Sequence, residues 1–133
     1  MGHVINMTDY ICTEHFLNVH PDYIFVFGDN QLRIGYGGAA ALRDNPQTYG
    51  FITKRKPNNT DDAYFKPSDY TKIFEIEMLA LQNLVKHNPD KQFLISKIGS
   101  GLANRFNIWE KVIEGPLTKF IADNDNVIRF YAV

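Results

Sequence analysis

A chain of 133 residues, 44% hydrophobic and 22% charged, can bury one substantial core but is too short for two ordinary domains, so we expect a single domain over residues 1–133. Its 14 basic and 15 acidic side chains give a net charge of −1, which excludes a global attraction to nucleic acid or to an anionic membrane. The single cysteine, Cys12, excludes an intrachain disulfide, and no apolar run could span a bilayer, so a cytoplasmic protein is expected.

The hydrophobic pattern alternates between a period of two residues and one of about 3.6, which predicts alternating strands and helices. The unbroken apolar run at residues 23–27 predicts a strand that is buried on both faces, as in a sheet covered by helices. The other elements predicted in this half are a strand at 4–7, a helix at 12–19 ended by Pro21, a helical turn or two at 38–43, a strand at 51–54 and a loop at 55–69.

The second half begins with the most clearly predicted helix, at residues 70–87, for which Ser68 or Asp69 is the expected N-cap. A strand at 93–96, a helix at 108–122 that Pro116 must kink or interrupt, and a strand at 127–132 follow. This order of elements predicts an α/β fold. The apolar face of the 70–87 helix is formed by Ile73, Phe74, Leu81, Leu84 and Val85.

Two glycine-bearing segments each follow a predicted strand directly. In an open α/β sheet such junctions cluster at the carboxyl ends of the strands, where backbone N–H groups can bind phosphate. One such loop fits a tight turn before a closely packed helix equally well, but two loops after neighbouring strands favour a diphosphate site. The first segment contains Asn30, Gly35, Gly37 and Gly38, and the second contains Ile98, Gly99, Ser100, Gly101, Leu102 and Ala103.

These loops match neither of two common nucleotide motifs. No Lys-Ser/Thr pair follows the glycines, as a Walker P-loop requires, and their spacing differs from the dinucleotide fingerprint, so no cofactor is expected. The histidines lack metal-ligand spacing, so no metal site is predicted. The basic residues at 54–56 fit either a solvated strand end or a contact with phosphate or RNA.

Three segments together resemble the macrodomains. The run Lys97-Ile-Gly-Ser-Gly-Leu102, with Trp109-Glu110 after it, resembles the second ligand loop of the subgroup that contains lysine-dependent ADP-ribosyl-glutamate and ADP-ribosyl-DNA hydrolases. The run Phe51-Ile-Thr-Lys54 resembles the strand of that subgroup that ends in a functional lysine, and residues 30–40 resemble its first ligand loop. A family of short bacterial and phage proteins has a similar strand-Gly-x-Asn start, which implies nothing further about chemistry.

The resemblance implies a macrodomain-like, three-layer α/β/α sandwich with a mixed central sheet, and ADP-ribose as ligand. Asp9 would accept from the adenine amino group, Tyr10 would supply a backbone contact, and Asn30 would face the distal ribose. Lys54 would be the catalytic lysine that attacks the ribose carbon carrying a glutamate ester. Gly35, Gly37 and Gly38 would line the distal ribose and a phosphate, and Ile98, Gly99, Ser100, Gly101, Leu102 and Ala103 would wrap the diphosphate.

The chain departs from the hydrolase pattern at one position. Those enzymes carry an aspartate directly after Gly-Leu, where this chain has Ala103 followed by Asn104, and alanine cannot transfer a proton. Asp29 is the nearest substitute in the sequence.

Three hypotheses therefore stand. The first is a binding module for ADP-ribose, a related NAD-derived nucleotide, cyclic ADP-ribose or an ADP-ribosylated macromolecule. The second is a hydrolase that uses Lys54 to remove ADP-ribose from carboxylate esters on protein or from nucleic acid as the modified target. The third is a nucleic-acid-binding domain that uses the basic run at 54–56 and exposed aromatic residues, against which the near-neutral charge argues.

Overall fold

The computed structural model describes residues 10–132, and its centre is a four-stranded sheet in the order β2-β1-β3-β4. All three strand pairs are parallel. Parallel neighbours need a crossover, and each crossover here passes over one face of the sheet. The strands are β1 (Tyr23–Asn30), β2 (Thr48–Lys54), β3 (Gln92–Ile95) and β4 (Val127–Arg129). The α-helices are α1 (Glu14–Val19), α2 (Pro67–His87) and α3 (Glu114–Asp123), and short 3-10 turns span Gly38–Leu42, Asp61–Ala63 and Leu102–Asn104.

Apolar side chains cover both faces of this sheet, because successive residues of a strand point to opposite sides. On one face, Val26 and Ile95 pack with side chains of α2 and α3 in the larger hydrophobic cluster. On the other, Phe25 and Leu94 pack with Leu17 of α1 in a second cluster. The predicted burial of the 23–27 strand on both faces is therefore confirmed.

The structure differs from the prediction at the start of α2. The helix begins at Pro67 with Lys66 as its N-cap, so neither Ser68 nor Asp69 caps it. Proline suits the first helical position because its φ is already helical and the N–H that it lacks would have no partner there. Asp69 lies instead in the first turn, where its negative charge favours the helix dipole.

The second difference lies in the predicted helix at 108–122. Residues Trp109–Ile113 form a π turn, in which the N–H of Glu114 donates to the carbonyl of Trp109, and α3 starts only after it. Pro116 thus falls in the first turn of α3, where the missing N–H costs little. The proline was expected to interrupt the helix, and the π turn is the form that the interruption takes.

The antiparallel part of the expected mixed sheet is not found within residues 10–132. The four strands of this part pair only in parallel. An isolated antiparallel bridge joins Lys54 at the end of β2 to Tyr64. The strand predicted at 4–7 lies outside the described residues. β4 ends at Arg129 rather than at residue 132, although the N–H of Phe130 still donates to Ile95. Among the helices of the described part, none is long and apolar enough to cross a bilayer.

Side chains of α2 fasten the outer side of β2. The hydroxyl of Tyr70 donates to the carbonyl of Ile52 over 2.6 Å, and the N–H of Ile52 donates to Oε1 of Glu77 over 2.7 Å. Both polar groups of one strand residue are therefore satisfied by one helix, and this bond pair fixes the distance between α2 and the sheet.

Replacing Tyr70 with phenylalanine should lower the free energy of unfolding by about 1–3 kcal/mol, because the Ile52 carbonyl loses its donor in a buried place. Urea unfolding followed by circular dichroism measures this. The matched control is Tyr131→Phe, since the Tyr131 hydroxyl makes no hydrogen bond within the described residues. Equal stability of both variants would show that the Tyr70 bond contributes nothing.

Candidate functional site

The two glycine loops lie side by side at the carboxyl ends of β1 and β3. The chain leaves β1 toward β2 on one side, while β3 lies on the other, so this is the switch point at which open α/β sheets bind ligands. The loops enclose a cleft of about 500 Å³. Its lining includes Asn30, Gly35, Gly37, Gly38 and Lys54 from the first side and Ile98, Gly99, Ser100, Gly101, Leu102 and Ala103 from the second.

Two glycines, Gly28 and Gly99, lie in the cleft lining where neighbouring atoms leave little room for a side chain. A Cβ on Gly28 of β1 would lie 3.3 Å from Oγ1 of Thr53 and 3.7 Å from the backbone nitrogen of Gly99. Gly99 has a φ of +79°, and a Cβ there would lie 2.4 Å from Cδ1 of the fully buried Ile113. Glycine is therefore required at position 99 both by the backbone conformation and by the space.

Several backbone N–H groups of both loops have no hydrogen-bond acceptor within the described part of the chain. Within residues 10–132, the N–H groups of Gly35, Gly37 and Gly38 donate no hydrogen bond, and neither do those of Gly99 and Gly101. Unpaired N–H groups in a concave loop attract anions, because several partial positive charges converge on one point. The cleft thus offers backbone donors from two directions.

The first loop is held by an ion pair at the end of β1. Arg43 donates to both carboxylate oxygens of Asp29, over 2.9 and 2.7 Å, and to the carbonyls of Ile34 and Gly35 over 3.1 and 2.8 Å. The side chain of Asp29 is only 2% exposed, and Arg33 also donates to it over 3.3 Å. Asp29 therefore has a structural role here, since its oxygens are occupied by arginines.

Asn30 also serves its own loop. Its Nδ2 donates to the carbonyl of Ile34 over 2.9 Å, and its Oδ1 accepts from the N–H of Leu32 over 3.1 Å. The side chain closes the turn that carries the chain from β1 into the glycine segment. A contact between Asn30 and a ribose stays a prediction.

Two lysines give the cleft positive charge. Nζ of Lys54 donates to the carbonyl of Asn58 over 3.0 Å and lies 4.8 Å from the centre of the Tyr64 ring, and burial lowers the pKa of this lysine. Lys97 lines the other side of the cleft, and its Nζ lies 5.4 Å from the centre of the Trp109 ring, over a neighbouring pocket that both residues line. Asp29 is the one acidic side chain among the described lining residues, and its pairing with Arg43 leaves both lysines without a carboxylate partner in the lining.

No proton-transferring group stands where the hydrolase pattern has its aspartate. Ala103 is buried in the cleft lining, and Asn104 is not among the lining residues. Its Oδ1 accepts from the N–H of Trp109 over 2.9 Å and its Nδ2 donates to Glu110, so it caps the π turn. Cys12, half-buried on the α1 side, has a pKa that burial raises to about 11, which argues against a thiolate nucleophile.

One described residue of the predicted site, Tyr10, is not brought into the cleft lining. Tyr10 packs on the α1 side of the sheet, where its ring meets that of Phe130 edge-on with centres 5.7 Å apart. Asp9 lies outside the described residues, so its contact with a base stays a prediction.

Sequence reasoning missed Arg43 and Gly50. A Cβ on Gly50 of β2 would lie 2.3 Å from Oδ2 of Asp29, so the glycine makes room for the carboxylate that Arg43 binds. A glycine between two aromatic residues of a strand does signal a close approach. Arg43 gave no such signal, because its partner Asp29 lies 14 positions earlier in the chain.

A larger groove, of about 1220 Å³, runs between α2 and α3. It is lined by helix side chains such as Leu79, Gln82 and Lys119, with neither a strand end nor a glycine loop. Because it offers no backbone donors of the kind found in the cleft, we place the functional site in the smaller cavity.

The described part of the protein is an α/β fold with a four-stranded parallel sheet and a cleft between two loops at its strand ends. A model of the family of unknown function DUF7831 matches residues 7–105, which is more than half of the chain, so the chain belongs to that family. The match takes in both glycine loops and Lys54 and ends before the π turn. No curated protein and no solved structure matches the chain.

Proposed function

We propose that the cleft binds ADP-ribose or a related NAD-derived nucleotide through its diphosphate. The observation that carries this proposal is that two loops lining one cleft have N–H groups without an acceptor in the described residues, with Lys54 and Lys97 in the same lining, at the switch point of the sheet. A diphosphate offers acceptor oxygens on two phosphates, so one phosphate could accept from each loop. The cleft volume lies within the ordinary range for small-ligand sites.

The fold supports the same proposal. Helices lie on both faces of the sheet. This arrangement fits the three-layer sandwich that the resemblance to macrodomains implies. In that arrangement the ligand would be free ADP-ribose, its cyclic form, or an ADP-ribosyl group on a macromolecule.

Calorimetric titration with ADP-ribose, with AMP and NAD as controls, tests this function. We expect micromolar binding of ADP-ribose and weak binding of AMP, because AMP has one phosphate and can accept from fewer of the donors in the two loops. Tighter binding of cyclic ADP-ribose would assign the cyclic form as ligand. Absence of heat and of a thermal shift with all these nucleotides would contradict the proposal.

A second candidate function, hydrolysis of an ADP-ribosyl ester, rests on Lys54. The lysine lies in the cleft lining, and its lowered pKa raises the fraction of neutral amine, the form that can act as a nucleophile. The absence of an acid at Ala103 opposes this activity, since a lysine adduct would need a proton donor for its release.

Lys54→Ala should therefore retain ADP-ribose binding to within severalfold and remove any release of ADP-ribose from an ADP-ribosyl ester. If Lys54 is the nucleophile, the wild-type rate should rise with pH through a pKa below the ordinary value of 10.5. Chromatographic detection of released ADP-ribose measures both. Lys56→Ala is the matched control, because Lys56 is paired with Asp62 outside the cleft lining. Undiminished turnover by Lys54→Ala would remove its catalytic role.

A further inference from the structure

The first glycine loop is fixed from one side by a single guanidinium. Arg43 uses four of its five N–H groups on protein acceptors, two on Asp29 and one each on the carbonyls of Ile34 and Gly35. Its side chain is only 13% exposed. A planar fork of this kind sets the direction of every acceptor that it binds, which an ammonium group does not do.

The carboxylate behind this fork is itself fixed. Asp29 accepts from its neighbour's N–H, that of Asn30, over 2.8 Å and from Arg33 over 3.3 Å. It lies against Gly50, where no other residue would leave room for Oδ2. The guanidinium of Arg43 is thus held by a carboxylate of β1 that packs against β2.

The direction of the two loop carbonyls determines whether N–H or C=O groups of the first loop are available to a bound group. In a trans peptide the N–H of the next residue points opposite to the carbonyl. With the carbonyls of Ile34 and Gly35 turned to Arg43, the N–H groups of Gly35 and Tyr36 point to the other side of the loop. That leaves donors, and not acceptors, for a bound group.

We infer that Arg43, held by Asp29, is a positioning residue that turns the first loop into an anion receptor without binding the anion itself. This inference rests on the proposed function, namely that the cleft takes a phosphate-bearing ligand. The charge of Arg43 is paired with that of Asp29, and the other basic residues of the lining are Lys54 and Lys97.

Arg43→Lys tests this, because lysine keeps the charge and loses the fork. We expect ADP-ribose affinity, measured by calorimetry, to fall at least tenfold in Arg43→Lys, while the control Arg129→Lys binds as the wild type does. Arg129 donates to Tyr131 away from the cleft lining. Wild-type affinity in Arg43→Lys would show that position 43 supplies charge alone and would overturn the inference.

A second readout separates positioning from mere stability. In folded Arg43→Lys, with core amide shifts unchanged, ¹⁵N order parameters of Gly35, Gly37 and Gly38 should fall toward the flexible range. Unchanged order parameters would overturn the inference. This measurement needs no ligand, so it decides about Arg43 even if the wild type binds no ADP-ribose, the result that would refute the proposed function.

A loop variant provides the test that does not depend on the ion pair. Gly35 is exposed and has a φ of +96°, so Gly35→Ala distorts the loop and leaves the core intact. If orientation of the loop matters, Gly35→Ala should lose ADP-ribose affinity in a protein that is still folded at the titration temperature, although the positive φ should lower its free energy of unfolding by about 1–2 kcal/mol. Full affinity in this variant would contradict the inference.

Discussion

Replacing Gly37 with glutamate is expected to weaken ADP-ribose binding by about tenfold to a hundredfold, since a carboxylate about 5 Å from a phosphate at an effective dielectric of about 20 costs about 3 kcal/mol before screening. The substitution should leave the fold intact. Gly37 lines the cleft, has ordinary extended dihedral angles of −78° and 145°, and has no atom within 4 Å of a new Cβ.

Gly37→Gln is the matched control, because glutamine has the same size and no charge. We expect it to bind ADP-ribose within severalfold of the wild type in the same calorimetric titration. Gly101→Glu and Gly101→Gln repeat the comparison on the second loop, where a Cβ also meets open space. If the two glutamate variants bind as well as their glutamine controls, the phosphates do not lie between these loops.

Gly99→Ala should lower the free energy of unfolding by about 2–4 kcal/mol. About 1–2 kcal/mol comes from placing an alanine at a φ of +79°, and the rest comes from overpacking against Cδ1 of Ile113, 2.4 Å from the new Cβ. Urea unfolding measures the total. The control Gly115→Ala, at an open position on α3, should be neutral or slightly stabilising because alanine is the better helix former.

The two causes can be separated by Ile113→Val, which removes the methyl group that the new Cβ meets. Alone it should cost about 0.5–1.5 kcal/mol, and in the Gly99→Ala background it should cost less than that or even stabilise. Simple additivity of the two substitutions would show that contact with Ile113 is not the source of the loss. The backbone conformation would then account for all of it.

The sequence predicted those parts of the molecule that depend on neighbours along the chain. The 23–27 strand, α2 and the positions of both glycine loops follow from local periodicity and from residues that punctuate it. The predicted start of α2 is wrong because the prediction places Pro67 in the preceding loop, although proline is favoured at the first helical position.

The interior of the cleft could not be predicted in the same way. Asp29 and Arg43 are 14 positions apart, Gly50 comes from the next strand, and Ile113 reaches Gly99 from the π turn. These contacts exist only once the sheet order is set, and one sequence does not fix that order. From the sequence alone Asp29 is the nearest candidate for a substitute acid, because its partners are not visible there. In the structure its carboxylate pairs with Arg33 and Arg43.

The bonds from α2 to Ile52 also bear on how the protein behaves at high concentration. Among the strands of residues 10–132, β2 is an outermost one, and such a strand can pair with a strand of another chain, the first step of aggregation. Because Tyr70 and Glu77 already occupy both polar groups of Ile52, a foreign strand would have to displace the helix before it could pair there. The α2 helix, which completes the core, thereby also hinders strand pairing at the Ile52 position of β2.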